Sequence, residues 1–458
     1  MTATSTTLSI DRLRDGLTGR VILPGDDDYD DARTVVLGGI DRHPAAIVRV
    51  ANAPDVARVV SFARETGSEL AVRCGGHSGA GHSTTDGGIV IDLRDLKEID
   101  LDVGNRRLWA GAGLTAGEVT QVVIPHGLVI GFGDTATVGI GGITTGGGVG
   151  YLVRRDGLTI DNLLGAEVVT ADGEILMVDA DNDPDLFWAI RGGGGNFGVV
   201  TKFLYRLNEL PAFYGGMLVL PATAETVAGF VAAAEAAPEE LSTIANVMNA
   251  PPMPFLPEDA VGSVVILAMI AYAGDEEAGK RAVAPFRALA EPLADFVAAG
   301  PYSVMFPPEA GDEDYHPTAS ALNLHLRTVD RDVAGTIVDF LEKSEASMRV
   351  AQLRVLGGAM ARVPSDATAY AHRSSRIMVN VAAFYEGDDD RPAKEAWVRE
   401  FAAAIDQGDP AVYTNFLGNE GPERVRQAYP GSTWDRLVEL KRRYDPTNLF
   451  RLNQNVAP

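Results

Sequence analysis

Leu70-Ala71-Val72-Arg73-Cys74-Gly75-Gly76-His77-Ser78 runs an apolar strand straight into two glycines, a histidine and a serine. Further along stands a second glycine-dense stretch, Gly139-Ile140-Gly141-Gly142-Ile143-Thr144-Thr145-Gly146-Gly147-Gly148-Val149-Gly150. Glycine lets the backbone approach a ligand closely. Successive unhindered main-chain N–H groups can also wrap a polyanion. The two stretches together point to a large phosphate-bearing cofactor held by backbone, with an imidazole at its reactive end.

A chain of 458 residues exceeds what one hydrophobic core serves, so about two or three domains are expected. Hydrophobic residues make up 46% and charged residues 22%, the balance of an ordinary globular protein. Asp and Glu total 63 against 39 Lys and Arg, a net charge of -24. That excess repels nucleic acid and anionic membrane surfaces, so neither is expected as a partner. Cys74 is the only cysteine, which excludes an intrachain disulfide. Met1 to Thr7 lacks the basic and apolar regions of a signal peptide. The longest apolar run, Val261 to Ala273, is broken by Gly262 and Ser263 and is too short to span a bilayer. A cytoplasmic monomer or homodimer is expected.

Periodicity organises the rest. Ala45 to Val50 alternates as a strand and gives way to a helix pattern over Val56 to Ala63, capped by Asn52 or Asp55. Ile89 to Leu93 and Arg107 to Ala110 read as further strands. Thr115-Ala116-Gly117-Glu118 has capping-box spacing and opens a helix to about Val123. Ala171-Asp172-Gly173 joins Ala166–Thr170 to Glu174–Val178 as a hairpin. Glycine density falls near Leu207 to Pro211. Beyond it, Ala- and Glu-rich helices (Ala222–Ala236, Asp275–Ala290) and alternating strands (Val264–Tyr272, Met378–Tyr385) suggest a separate α+β unit. An amphipathic helix, Trp434–Arg443, stops at Asp445-Pro446.

Two routine readings fail. Gly193-Gly194-Gly195-Asn196-Phe197-Gly198 matches G-x-G-x-x-G, but a helix pattern precedes it and the strand Val199–Tyr205 follows. The dinucleotide fingerprint needs the reverse order. No G-x-x-x-x-G-K-[ST], H-E-x-x-H or C-x-x-C occurs, so nucleotide-hydrolase and zinc readings lose their anchors, and no metal is expected. A hydrolase built on a Cys74 nucleophile has only a strand-end position among glycines in its favour.

The order of the motifs carries more. The strand ending in Arg73-Cys74-Gly75-Gly76-His77-Ser78, the stretch 139–150, the run Asp185 to Val200 and the terminal Tyr444-Asp445-Pro446-Thr447-Asn448-Leu449-Phe450 resemble one family over essentially the whole chain. It is the FAD-linked oxidases of the vanillyl-alcohol oxidase (PCMH-type) superfamily, in the berberine bridge enzyme-like branch. The resemblance implies an α+β, two-domain PCMH-type FAD-binding fold. Residues 1–206, completed by 425–458, would bind FAD, and residues 207–424 would form an antiparallel-sheet substrate domain backed by helices. It implies oxidation of a C–OH or C–N bond in a small organic molecule such as a sugar, alcohol or secondary metabolite. Hydride would pass to FAD and on to dioxygen, giving hydrogen peroxide.

The same resemblance implies a covalent bond from His77 to the flavin. An imidazole nitrogen is a competent nucleophile, and the neighbouring glycines leave room for a ring. Many members add a second bond from a cysteine. The aligned position here is Thr135, so single attachment through His77 is expected, with His82 a surface or structural residue. Val138 resembles the gatekeeper of oxygen-reactive members, which favours an oxidase over a dehydrogenase with another acceptor. Arg73, Cys74, Gly75, Gly76, Ser78, Thr135, Thr137, Gly139, Gly141, Gly142, Gly146 and Gly148 are expected around the cofactor. Val200 resembles the strand that meets adenine, and Asn453 a contact near the isoalloxazine.

For the catalytic base, relatives often carry Tyr-x-Asn-Tyr, and this chain reads Tyr413-Thr414-Asn415-Phe416. Tyr413 is the candidate, and its phenol would need lowering from a pKa near ~10 by a neighbouring cation. Phe416 in place of the second tyrosine leaves open another base, or a flavin-bound protein without turnover. His372-Arg373 is a further polar cluster, facing the cleft or serving as a structural network.

Overall fold

The computed structural model describes residues 10–306, 316–387 and 389–458; Met1 to Thr7 lies outside them. Sheets of four, five and eight strands organise the described residues, with a two-stranded pair, Leu128–Val129 and Asn208–Glu209.

The first sheet has four strands in the order Arg20–Ile22, Ala46–Arg49, Ile89–Asp92, Leu70–Arg73. The last three run parallel, and Ile89–Asp92 is buried along its whole length. The crossover is the helix Ala53–Thr66. Asn52 caps it by accepting the Asp55 N–H at 2.9 Å, and Gly67 ends it at φ 69. Asp55 serves differently: its buried carboxylate accepts the N–H groups of Thr18, Gly19 and Ala51, tying down the chain that leads into the first strand.

The second sheet is antiparallel, with five strands in the order Ile99–Asp102, Arg107–Gly111, Val199–Arg206, Leu163–Val169, Ile175–Asp179. Gly173, at φ 87, makes the tight turn of its hairpin. The capping box at Thr115 and Glu118 is formed in both directions, and its helix runs Ala116–Val123.

The third sheet has eight antiparallel strands. The long ones are Tyr214–Pro221, Leu241–Asn249, Val264–Tyr272, Ala319–Leu326, Arg349–Val355 and Ile377–Phe384. The helices Ala224–Ala236, Glu276–Arg287, Arg331–Lys343 and Arg391–Ile405 cover one face, burying Phe230, Phe286, Ile337 and Phe401 among the strand side chains. Each such side chain contributes about 1.5–3 kcal/mol by leaving water. Alternation then sends Gln352 and Arg354 to the opposite face.

One hydrophobic cluster joins residues from Leu13 to Leu207 with Val412, Leu417, Val425, Leu437 and Val456 of the C-terminal segment. A second is confined to Tyr214 through Ile405. The C-terminal helix, Ser432–Tyr444, lays Leu437 and Leu440 against the first.

Candidate functional site

A cavity of about 420 Å³ lies where the glycine stretches meet the C-terminal segment. One end is built from backbone. Strand Leu70–Arg73 delivers Cys74 to Ser78, with Gly76 at φ 75 turning the chain. A Cβ on Gly75 would stand 2.5 Å from Gly139 N, and one on Gly139 would collide with Cys74 Sγ. Only glycine permits that approach. It sets His77 beside the 135–138 turn, with Thr137 Oγ1 3.1 Å from His77 Nε2. His77, Ser78, Thr135, Val138, Gly139, Gly141 and Gly142 all line the cavity, as do Val199 and Val200 further along.

The thiol nearby is chemically quiet. Cys74 donates its S–H to Ala112 O at 2.6 Å, and burial pushes its pKa up to about 11, so thiolate is scarce at neutral pH. His82 is half-buried on the cavity wall rather than on the surface, and burial, with Arg42 nearby, pushes its pKa down to about 4.

The other end is polar. The Tyr413 hydroxyl oxygen accepts the Gly148 N–H at 2.9 Å and the Asn415 Nδ2–H at 2.8 Å. Burial raises the Tyr413 pKa against these two hydrogen bonds and the longer-range pull of Arg354. Burial thus opposes the lowering that a Tyr413 base would need, and the protonated hydroxyl has a proton to donate. Arg354 was not foreseen. It is 4% exposed and donates to Asp134 Oδ2 at 2.6 Å, Val149 O at 2.8 Å and Gln352 Oε1 at 3.0 Å. Its guanidinium lies 4.9 Å from the Phe416 ring centroid, a cation–π contact, and Phe416 packs edge-on to Tyr413. The cue was a charged residue at an inward position of the alternating strand Arg349–Val355.

The lining fits an extended dinucleotide. No heavy atom stands within 4 Å of where a Cβ on Gly142 or Gly195 would point, so the wall there is bare backbone. On the tail, Asn453 donates to Phe450 O while its buried Oδ1 has no partner, an acceptor held ready for a ligand.

Comparison with known proteins agrees. Residues 44–179 match the FAD binding domain family, and residues 412–457 the berberine and berberine like family. The (R)-6-hydroxynicotine oxidase of Paenarthrobacter nicotinovorans is 30% identical over 96% of this chain and 97% of its own length. The chain belongs to the berberine bridge enzyme-like FAD-linked oxidoreductases. An FAD-linked oxidoreductase of Dictyostelium discoideum is likewise 30% identical, over 91% of this chain and 89% of its own. The crystal structure of 6-hydroxy-D-nicotine oxidase from Arthrobacter nicotinovorans superposes with a TM-score of 0.87 at 29% identity, covering 99% of this chain and 100% of that one. A xylooligosaccharide oxidase from Myceliophthora thermophila shares the fold at 23% identity and a TM-score of 0.84, over 99% of both chains. The PCMH-type α+β architecture and the enzyme class are thus established for this chain.

Several residues expected at the site of this FAD-linked oxidoreductase stand elsewhere. Arg73 is buried behind the wall in an ion pair with Asp92 at 2.7 Å. Gly146 and Gly148 do not line the cavity; a Cβ on either would strike Asn415 or Thr159, so they permit packing that seats Asn415 and Tyr413. His372 does not line the cavity and is hydrogen-bonded to Gln427 O at 2.8 Å. Arg373 grips Asp161 through both carboxylate oxygens, which makes the pair a structural network. Conversely Gly194, Gly195, Asn196 and Gly198, from the motif that fails as a Rossmann fingerprint, line the cavity after all. Among the described residues no group of three or more His, Cys, Asp or Glu side chains is placed to hold a metal, and no helix is long and apolar enough to cross a membrane.

Proposed function

We propose that this oxidoreductase is an oxidase carrying FAD on a single covalent bond from His77, which takes a hydride from a C–OH or C–N bond of a small organic molecule. Bound FAD supplies a two-electron acceptor that dioxygen can reoxidise, with hydrogen peroxide as the product. Residues 1–206 with 425–458 would hold it, and residues 207–424 would present the substrate.

One observation carries the reading. His77 is the imidazole set on the cavity wall where two glycine turns press together, while the sole thiol beside it is half-buried, donates to Ala112 O and is held protonated. Thr135, at the position where a second linkage would form, offers a hydroxyl that donates to Asp134 Oδ1 at 3.4 Å, a far weaker nucleophile than a thiolate. Val138, on the same turn and on the cavity wall, is a small side chain that would let dioxygen reach a bound flavin. At the polar end, the Tyr413 hydroxyl can donate to a substrate heteroatom, and Arg354 stacked over Phe416 stands on the same wall.

The test is direct. Acid precipitation of the purified protein should leave flavin fluorescence in the pellet, and His77→Ala should release it wholly to the supernatant while the protein still folds. Flavin freed from the unmodified protein by acid would sink the linkage. Peroxide formed in a one-to-one ratio with product, and rapid reoxidation in air, separates an oxidase from a dehydrogenase.

A further inference from the structure

The C-terminal segment gives the cavity wall two stretches, Tyr413 to Phe416 and the tail residues Phe450, Leu452, Asn453 and Gln454. Behind the second stretch lies an ion pair that the chemistry of the site does not use. Lys441, in the last turn of helix Ser432–Tyr444, and Asp445, just beyond it, have no exposed side-chain surface. Lys441 Nζ donates to Asp445 Oδ2 at 2.6 Å, Asn196 O at 2.8 Å and Phe450 O at 2.9 Å, so all three ammonium protons are placed. Asp445 accepts the N–H groups of Leu449 at 2.8 Å and Phe450 at 2.9 Å. Asn196 completes the knot: its Oδ1 accepts the Val456 N–H at 2.9 Å, and its Nδ2 donates to Gln454 O at 3.1 Å.

Three pieces of chain meet there: the helix end, the Gly193–Gly198 turn and the tail from Leu449 to Val456. The turn and the tail both form cavity wall, and the unpartnered Asn453 Oδ1 belongs to that tail. Stability alone is a poor reason for such a pair, since apolar residues of similar volume usually serve as well. What a charged knot adds is direction, because each bond names a partner and fixes where the tail lies.

We propose that the Lys441–Asp445 pair is a latch that positions the C-terminal tail as the closing wall of the cofactor cavity, so that FAD enclosure and tail docking are one coupled step. The proposal rests on the reading of this cavity as the FAD site. Lys441 and Asp445 are positioning residues; the wall they hold, not they themselves, meets the ligand. By linkage, FAD enclosed only by the docked tail stabilises docking, and a loosened tail weakens equally the noncovalent binding that must precede the His77 bond, so less flavin is incorporated.

The double variant Lys441→Met/Asp445→Leu removes both charges together and leaves none buried alone, so the fold should persist, as circular dichroism and a cooperative thermal transition will show. Its flavin-to-protein ratio should fall about tenfold, within the usual span of site-to-site coupling. Trypsin should cut its tail after the half-exposed Arg451 faster by a similar factor. A double variant that carries flavin as fully as the unmodified protein, with an equally resistant tail, overturns the latch. An unmodified protein that carries no flavin under any condition instead overturns the site reading beneath it. Should the double variant not fold, hydrogen exchange on the intact latch decides. The amides of Leu449, Phe450 and Val456 should exchange about tenfold more slowly in flavin-loaded protein than in flavin-free His77→Ala protein, with strand Val264–Tyr272 unchanged. Equal exchange at those three amides also overturns it.

Discussion

The two ends of the cavity are made by different means. Around His77 much of the wall is backbone, supplied by the glycines of two short stretches, 74–78 and 135–142. At the Tyr413 end the wall is side chain, with Asp134, Arg354, Tyr413, Asn415 and Phe416 drawn from three separate regions and locked by hydrogen bonds. A backbone wall tolerates any neighbour that keeps out of its space. A side-chain wall depends on every partner being present, because each unpaired buried group is expensive.

The sharpest way to break that contrast is Arg354→Met. It strips Asp134 of its guanidinium, and we expect a loss of about 3–5 kcal/mol, read from chemical denaturation. An unchanged midpoint would mean that the polar end is not held by this pair. Next comes a matched comparison of two glycines in the same stretch. Gly148→Ala, at φ 83 with its Cβ driven into Thr159, should cost about 2–4 kcal/mol. Gly142→Ala, helical and facing open cavity, should raise flavin-free stability by about 0.5–1 kcal/mol while lowering flavin occupancy. Equal effects would erase the distinction between packing and lining glycines.

Acid should act through the histidines. His82 has its pKa pushed down to about 4, so the fold holds it neutral while the unfolded chain takes a proton near ~6.5. Stability is then full above ~6.5 and falls as the pH drops toward 4, by about 2 kcal/mol once partial exposure is discounted. His325, pushed down to about 3 by burial, extends the decline to lower pH. A series of thermal midpoints checks the slope, and His82→Asn should flatten its upper part. Smallest is Tyr413→Phe, which leaves the Gly148 N–H and Asn415 Nδ2 without their acceptor at about 1–2 kcal/mol. A loss of substrate-driven flavin reduction larger than that stability change would mark the hydroxyl as a substrate contact.

What could be read before folding follows the same divide. The Thr115–Glu118 capping box, the Ala171–Gly173 hairpin and the strand into Gly75 are local, since a few consecutive residues settle their backbone. Asn52 was legible as a cap for the same reason, whereas Asp55 reaches to Thr18 and Gly19, which no local pattern reports. In the eight-stranded sheet, Val264–Tyr272 and Met378–Tyr385 stood out by alternation. Tyr214–Pro221 and Leu241–Asn249 were not picked out; like Val264–Tyr272 they are buried along nearly their whole lengths, and packing on both faces removes the apolar–polar rhythm. His372 looked like a site residue because a histidine beside an arginine carries no mark of which way it will face.

By itself the sequence determined the backbone end of the site, the order of its motifs and hence the family, because glycine, strand and cap chemistry act over a few neighbouring residues. Only the tertiary structure decided the polar end. Asp134 meets Arg354 across 220 residues, and Gly148 meets Tyr413 across 265. It also decided the state of each group there: burial, not residue type, raises the Tyr413 phenol and the Cys74 thiol and lowers His82. Desolvation belongs to a place in the fold, and no stretch of chain carries it alone.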